Sequence, residues 1–414
     1  MELSTKQMNP THYEETLSTI LDVGESMLAA GADVSLVEEE VQKMVFAAGA
    51  EKADIFALSS LIIASMTTPD GRVYSENRRF ARGVNTDFEK LEDLHQLSVE
   101  YCAGKLSAPE MQRRRDAVTK RPLPNFMLYV GAVLSTAGFA VFFGGTLLDG
   151  VVSALFAVII CLMLEYIKPH LVNENVFLFL AAFVSGLGIA GVAKVVPELN
   201  MGMTIVGTIM ILIPGIALTN SARDMLSGDV ITGIVGLVQA LIASTVLAVG
   251  YIAALWLLSA GMVDTPDTLQ MSLPVQLVAA LVATLGFAMF YNVKKREIPA
   301  LAIGGLGVWV IYLAVNALVP GTPFLSTFIA SVVGAIFSVG MGIWFRVPAS
   351  IFFYVAVITL IPGRLLYFTM ACAAAGSWAL FQNFAVMTLI AVLGIAAGMS
   401  LIWAFAALVL KSRW

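Results

Sequence analysis

Leu212-Ile213-Pro214-Gly215 and Leu360-Ile361-Pro362-Gly363 are the same four residues met twice, each inside an apolar run and 148 residues apart. The same shift lays Thr136, Gly138, Phe139, Ala140 and Phe142 on Thr284, Gly286, Phe287, Ala288 and Phe290. It also lays Ala182 and Gly186 on Ala330 and Gly334. One gapless offset that holds across three hydrophobic segments reads as a duplicated unit. Each Pro-Gly falls near the middle of a membrane-length run, where proline removes a backbone donor and breaks the helix.

Composition agrees with a membrane chain. Of 414 residues, 58% are hydrophobic and only 13% charged, and the mean hydropathy is +0.86; repeated runs of about 20 apolar residues are membrane spans. Residues 1 to 120 carry most of the charge, and the change of character is sharp near Arg121-Pro122. The net charge of −5 gives no support to nucleic-acid binding. Cys102, Cys161 and Cys372 are isolated, and His12, His95 and His170 are scattered. Neither a disulfide framework nor a metal site follows from them. No phosphate-binding glycine loop occurs in the polar region, which disfavours ATP-driven work, and no cofactor is expected. Met1 to Gln7 lacks the apolar stretch of a signal peptide, so the polar region is expected in the cytoplasm.

Helical spacing of Leu17, Ile20, Leu21, Met27 and Leu28 predicts a helix ending at Gly31, and a second runs through Val37, Val41, Met44 and Val45 to Gly49. Asp54 to Met66 reads as strand, and Pro69-Asp70-Gly71 turns into Arg72 to Phe80. Ser26, Ser59, Ser60 and Ser65 are helix-face or strand residues rather than nucleophiles. Two helices follow, over 87–102 and 108–119. Residues 1–121 thus read as a cytoplasmic α/β domain.

Arg113-Arg114-Arg115, Lys120 and Arg121 precede the first span and hold that end inside. Ten spans fit the rest, the fourth over 201–219 and the ninth over 349–371. Alternation puts Lys168, Arg223, Lys294-Lys295-Arg296, Arg346, Lys411 and Arg413 inside and Lys194 outside, with Asp264 and Asp267 in the outer loop Gly261 to Met271. Both termini fall in the cytoplasm. Five spans per half, an odd number, turn the second copy upside down. The fold expected is therefore membrane α-helical, ten transmembrane helices as two inverted five-helix repeats (122–262 and 263–414), behind the α/β domain. In secondary transporters of this plan the substrate sits near the midplane at broken helices.

The breaks free backbone carbonyls and begin new half-helices whose N–H groups suit a carboxylate. Pro214, Gly215, Pro362 and Gly363 are the candidate substrate contacts; a kink without a ligand is the plain alternative. Arg364 follows the second break about 14 residues, or about 21 Å, into its span. A charge at that depth is costly, and it either holds a carboxylate or snorkels to the outer surface. Its counterpart at the 148 offset is Ile216, so the site would not be symmetric. Thr219, Asn220, Arg223, Asp224 and Asp229 lie beyond the first break, Asn220 near an inner entrance. Arg223, Asp224 and Asp229 form an inner gate or a solvated loop. Glu165, near the inner end of the second span, is a candidate for proton coupling or a residue of the lipid interface.

The series Ile213-Pro214-Gly215, Asn220, Ala222-Arg223-Asp224, Ser227-Gly228-Asp229 and Gly233 resembles the threonine/serine exporter family. In the polar region Gly31-Ala32-Asp33, Val37-Glu38, Gly49-Ala50, Arg78-Arg79, Val84-Asn85 and Leu91 extend the resemblance. It implies export of threonine and serine from bacteria across the plasma membrane, driven by protons, while split-type relatives are associated with succinate export. Arg364 departs from the small residue the family places there. Its guanidinium suits an amino acid's carboxylate or one end of a dicarboxylate. Implied partners are the substrate, protons and the bilayer, and a homo-oligomer is left open. The rivals from other classes are a channel lined by the same breaks and a membrane-anchored sensor.

Overall fold

A computed structural model describes residues 10–58, 60–79, 86–122, 125–171, 173–259 and 271–410. Ser59, Val84-Asn85, Asp264, Asp267, Lys411, Arg413 and the first seven residues lie outside the described residues. The chain divides into two compact units, 1–123 and 124–414, each with its own core.

In the first unit, α1 (Pro10–Ala29) and α2 (Val34–Ala47) precede an antiparallel meander of β1 (Lys52–Leu58), β2 (Leu61–Thr67) and β3 (Val73–Arg79), followed by α3 (Phe88–Cys102) and α4 (Ala108–Lys120). Gly31 ends the first helix with φ +101°, the left-handed turn that glycine makes at least cost. Asp33 then caps α2 by accepting from Leu36 N at 3.0 Å, and Asp87 caps α3 by accepting from Lys90 N at 3.1 Å. In register, Ile62, Ala64 and Met66 of β2 point one way and are wholly buried, beneath the apolar stripe of Leu17, Ile20, Leu21 and Met27 on α1.

Glu40 of α2 is the most deeply buried carboxylate among the described residues of this unit. Glu40 is 2% exposed and accepts from Ser98 Oγ at 2.6 Å, with His95 Nδ1 3.5 Å away. Burial alone would raise its pKa, but the His95 and Ser98 contacts outweigh that and hold it at about 2. Because the folded value lies below the ordinary 4.5, the contribution to stability is complete above pH 4.5. It is lost as pH falls toward 2. Glu40→Gln is expected to destabilise this unit by about 1–3 kcal/mol at pH 7 and to flatten its response to acid. Hydrogen exchange of the α3 peptides in the full chain, at pH 7 and pH 4, measures both.

The second unit is helical throughout: α5 (Asn125–Phe142), α6 (Leu147–Tyr166), α7 (Glu174–Val195), α8 (Met201–Ile209), α9 (Gly215–Ser227), α10 (Val230–Leu257), α11 (Leu273–Phe290), α12 (Ile298–Leu318), α13 (Pro323–Phe345), α14 (Ala349–Ala356), α15 (Gly363–Ala374) and α16 (Trp378–Leu410). Seven of the described helices (α6, α7, α10, α11, α12, α13 and α16) are long and apolar enough to cross a membrane. The apolar part of α5, Phe126–Phe142, is shorter. The expected fourth and ninth spans are each two short helices, α8 with α9 and α14 with α15, separated at the Pro-Gly. This interruption is why a length criterion passes over them.

The 148-residue offset recurs in packing. α7 packs on α10 as α13 packs on α16, α5 on α6 as α11 on α12, and α9 on α10 as α15 on α16. Across the halves the contacts are reciprocal. A Cβ at Gly138 would stand 2.7 Å from Ala283 N, and one at Gly286 would strike Ser135 N; Ser135 and Ala283 are themselves one offset apart. Phe139 and Phe287, also one offset apart, meet edge to face at 5.5 Å. Contact of i with j′ and j with i′ is the mark of a two-fold relation. Rising numbers on α5 meet falling numbers on α11, so these two helices cross antiparallel.

Candidate functional site

The two breaks have one geometry. Pro214 has φ −77° and ψ 50°, Pro362 φ −79° and ψ 47°, the inverse γ-turn region. Gly215 N donates across the proline to Ile213 O at 2.8 Å, and Gly363 N to Ile361 O at 2.8 Å. Leu212 and Ile213 both donate to Ile209 O, as Leu360 and Ile361 both donate to Val357 O. The new helices close with Leu218 N on Pro214 O and Leu366 N on Pro362 O. Every one of these bonds moves onto its partner by 148 residues.

The breaks also cross each other. A Cβ on Gly215 would collide with Ile361 Cγ2, and one on Gly363 would lie 2.8 Å from Met210 Sδ and 3.4 Å from Ile213 Cγ2. At both positions the glycine backbone packs directly on a side chain of the other break. Two half-helix starts, α9 and α15, therefore leave the same point, each with first-turn N–H groups that have no partner within the helix. Thr359, in the second break, is 6% exposed, and its Oγ1 has no hydrogen-bond partner among the described residues. Its counterpart is Ile211. Sequence reasoning passes over Thr359 because one threonine in an apolar run is ordinary.

Arg364 is half-buried at the start of α15, with its guanidinium carbon 5.4 Å from the centroid of the Phe143 ring. Among the described residues no carboxylate pairs with it. A ring face offsets only about 0.5–2 kcal/mol of a guanidinium's desolvation, which leaves an anion-seeking group beside the α15 N-terminus.

The inner polar residues require a correction. The sequence places the end of the fourth span at 219 and leaves Arg223 and Asp224 as a solvated loop pair or an inner gate; α9 instead runs to Ser227 and stops at Gly228, φ 100°. Arg223 is 2% and Asp224 5% exposed, so the solvated-loop reading is wrong. Arg223 donates from Nε at 3.1 Å and from Nη2 at 2.6 Å to Asp224 Oδ1. Asn220, one turn nearer the break, has a buried Oδ1 without a hydrogen-bond partner among the described residues. Asp229 is exposed; it precedes α10, and its N–H donates to Asp224 O at 2.9 Å. Glu165 accepts from Tyr129 Oη at 2.9 Å, tying α6 to α5 rather than joining the breaks. Asn316, Gln382 and Asn383 are exposed.

Two carboxylates at helix starts, on which the sequence analysis makes no reading, are buried: Asp149, 0% exposed, and Glu297, 1%. They are one 148-residue offset apart and open α6 and α12, a signal the offset itself contained. Asp149 accepts from Thr146 N at 2.6 Å, Thr146 Oγ1 at 2.9 Å and Asn200 N at 2.7 Å. It thereby fastens the α6 start to the α8 start. Asp149→Ala strands these donors and is expected to cost about 2–5 kcal/mol. The readout is a lowered melting temperature of the purified protein, with faster hydrogen exchange at 199–204.

Comparisons with known proteins meet this geometry. The threonine/serine exporter model ThrE matches residues 18–258, and ThrE_2, also described as a threonine/serine exporter, matches 276–405. A "Probable threonine/serine exporter" of Mycobacterium tuberculosis is 26% identical over 314 residues, covering 71% of this chain and 58% of that protein. The chain thus spans somewhat more than half the length of that relative. A "Probable succinate transporter subunit YjjP" of Klebsiella aerogenes is 24% identical over 237 residues, 55% of this chain and 88% of that protein. No solved structure matches. With both halves matched and the duplicated breaks inside the matched segments, the chain belongs to the threonine/serine exporter family, a family of membrane transporters.

Proposed function

We propose that this chain is a secondary active exporter of threonine and serine in the bacterial plasma membrane. In this reading ten spans form two inverted five-helix repeats, 122–262 and 263–414, behind a cytoplasmic domain over 1–121, with both termini inside. The crossing of the two Pro-Gly breaks carries the reading. It brings together two half-helix starts beside the Thr359 hydroxyl and Arg364, which among the described residues have no hydrogen-bond partner and no carboxylate partner respectively, a set that suits a small carboxylate-bearing solute at mid-membrane. Substrate contacts are assigned to Pro214, Gly215, Pro362, Gly363 and Arg364, with Asn220 on the inner path and Asp229 at its mouth. Alternation of the halves about their common axis exposes that point to each side in turn, and the proton gradient supplies the drive.

A second reading, export of C4 dicarboxylates such as succinate, is supported by the lack of an acid partner for Arg364 among the described residues and by the Klebsiella relative. Counterflow in proteoliposomes loaded with threonine, serine or succinate separates the two. Exchange of threonine or serine supports the first, and exchange of succinate alone moves the assignment to the second. A proton gradient must drive accumulation above equilibrium; uptake that only equilibrates would make the protein a channel.

A further inference from the structure

The break crossing does not account for a second polar cluster at the inner end of α9. There the buried Arg223–Asp224 pair is covered by α16, with the guanidinium carbon 5.3 Å from the centroid of the Trp403 ring. Ser400 Oγ and Trp403 Nε1, one turn apart on α16, are buried without hydrogen-bond partners among the described residues, as is Asn220 Oδ1 one turn from Arg223. An N–H donor, a hydroxyl and a carbonyl acceptor are thus unmet around one ion pair.

A buried pair is not held by its own attraction, because desolvation of the two ions is of similar size. Structural polar clusters have their buried atoms satisfied, whereas Asn220 Oδ1, Ser400 Oγ and Trp403 Nε1 have no hydrogen-bond partner among the described residues. Nor does the duplicated architecture demand it. At the 148 offset, Asn220, Arg223 and Asp224 become Phe368, Ala371 and Cys372, so the second half packs the same place with apolar side chains.

We propose that this cluster is an inner substrate station built for a zwitterion. Arg223 takes the α-carboxylate with Trp403 Nε1 as a further donor, and Asp224 takes the ammonium with Asn220 Oδ1. The ligand's two charges replace the Arg–Asp contact one for one, so no net charge is added to the interior. The inference rests on the transport reading above and narrows it. An amino acid carries a charge for each half of the pair, whereas a dicarboxylate brings a second carboxylate toward Asp224, where like charges repel.

The test is calorimetric binding to the full chain in lipid nanodiscs, with L-threonine, N-acetyl-L-threonine and succinate as probes. Arg364→Ala serves as the background, so that the break site is silenced. Threonine is expected still to bind there in preference to succinate. Adding Asp224→Asn is expected to weaken threonine on the order of 100-fold but not to weaken N-acetyl-L-threonine, which has no ammonium to lose and whose carboxylate still meets Arg223. Trp403→Phe keeps the ring under Arg223, removes only the N–H, and is expected to weaken threonine about tenfold. It carries the test if the Asp224 variant does not fold.

Threonine binding by the wild type but not by Arg364→Ala overturns the inner station and leaves the transport reading standing. The station falls equally to matched losses for the two threonine probes, to succinate bound more tightly than threonine, or to Trp403→Phe binding as its background does. A wild type that binds neither threonine nor succinate counts against both readings.

Discussion

Arg364→Ala is expected to reduce threonine counterflow on the order of 100-fold, because a charge-assisted contact to a carboxylate contributes about 1.5–3 kcal/mol. The side chain stands one residue past Gly363, itself pressed against Met210 and Ile213, so its loss falls at the crossing of the breaks. Arg364→Lys keeps the charge but loses the planar fork and is expected to recover only part of the rate. Phe143→Leu removes the ring under the guanidinium and should cost a few-fold, in line with a cation–π contact of about 0.5–2 kcal/mol. The graded order Ala, Lys, Phe143→Leu is what a binding role predicts. An Arg364→Ala protein that exchanges substrate at the wild-type rate would mean that the guanidinium only reaches for the outer surface.

What was legible in the sequence was the part written twice. Pro214 and Pro362 lack the N–H that would have continued their helices, and one offset between them fixed where each apolar run is cut. The packing across the halves follows from the same repetition, since small residues at 138 and 286 occur at matched places. The inner end of α9 was less legible. Charge at 223 and 224 looks like the start of a loop, but the helix stops only where Gly228 can turn left-handed, and by then Arg223 and Asp224 are inside. Thr359 and Trp403 carry no local signal, because what marks them is a buried polar atom without a hydrogen-bond partner among the described residues, which only the packing reveals. Asp149 and Glu297 were readable in principle through the offset. Within one half alone, a carboxylate at a span boundary has no pattern that distinguishes it from a loop charge.

The other large effect is structural. Gly286→Val is expected to abolish recovery of monodisperse protein, and Gly286→Ala to lower its melting temperature by several degrees, although alanine is the better helix former by about 1 kcal/mol. The sign is set by the neighbour. A Cβ at 286 would strike the backbone nitrogen of Ser135, which cannot rotate aside as a side chain would, so α5 and α11 must separate and lose the close approach that small residues give membrane helices. Gly307 on α12 supplies the control, since a Cβ there meets nothing within 4 Å, and Gly307→Ala should be neutral or slightly stabilising. Gly138→Val must behave as Gly286→Val does, because reciprocal contact makes the two positions one feature seen from either half. Should Gly286→Val melt within a degree or two of wild type while Gly138→Val does not, the antiparallel crossing would fail, and with it the two-fold axis about which the halves are proposed to rock. Matched losses at 138 and 286 are what the reciprocal contact requires, since each glycine lets the same two helices approach from its own half.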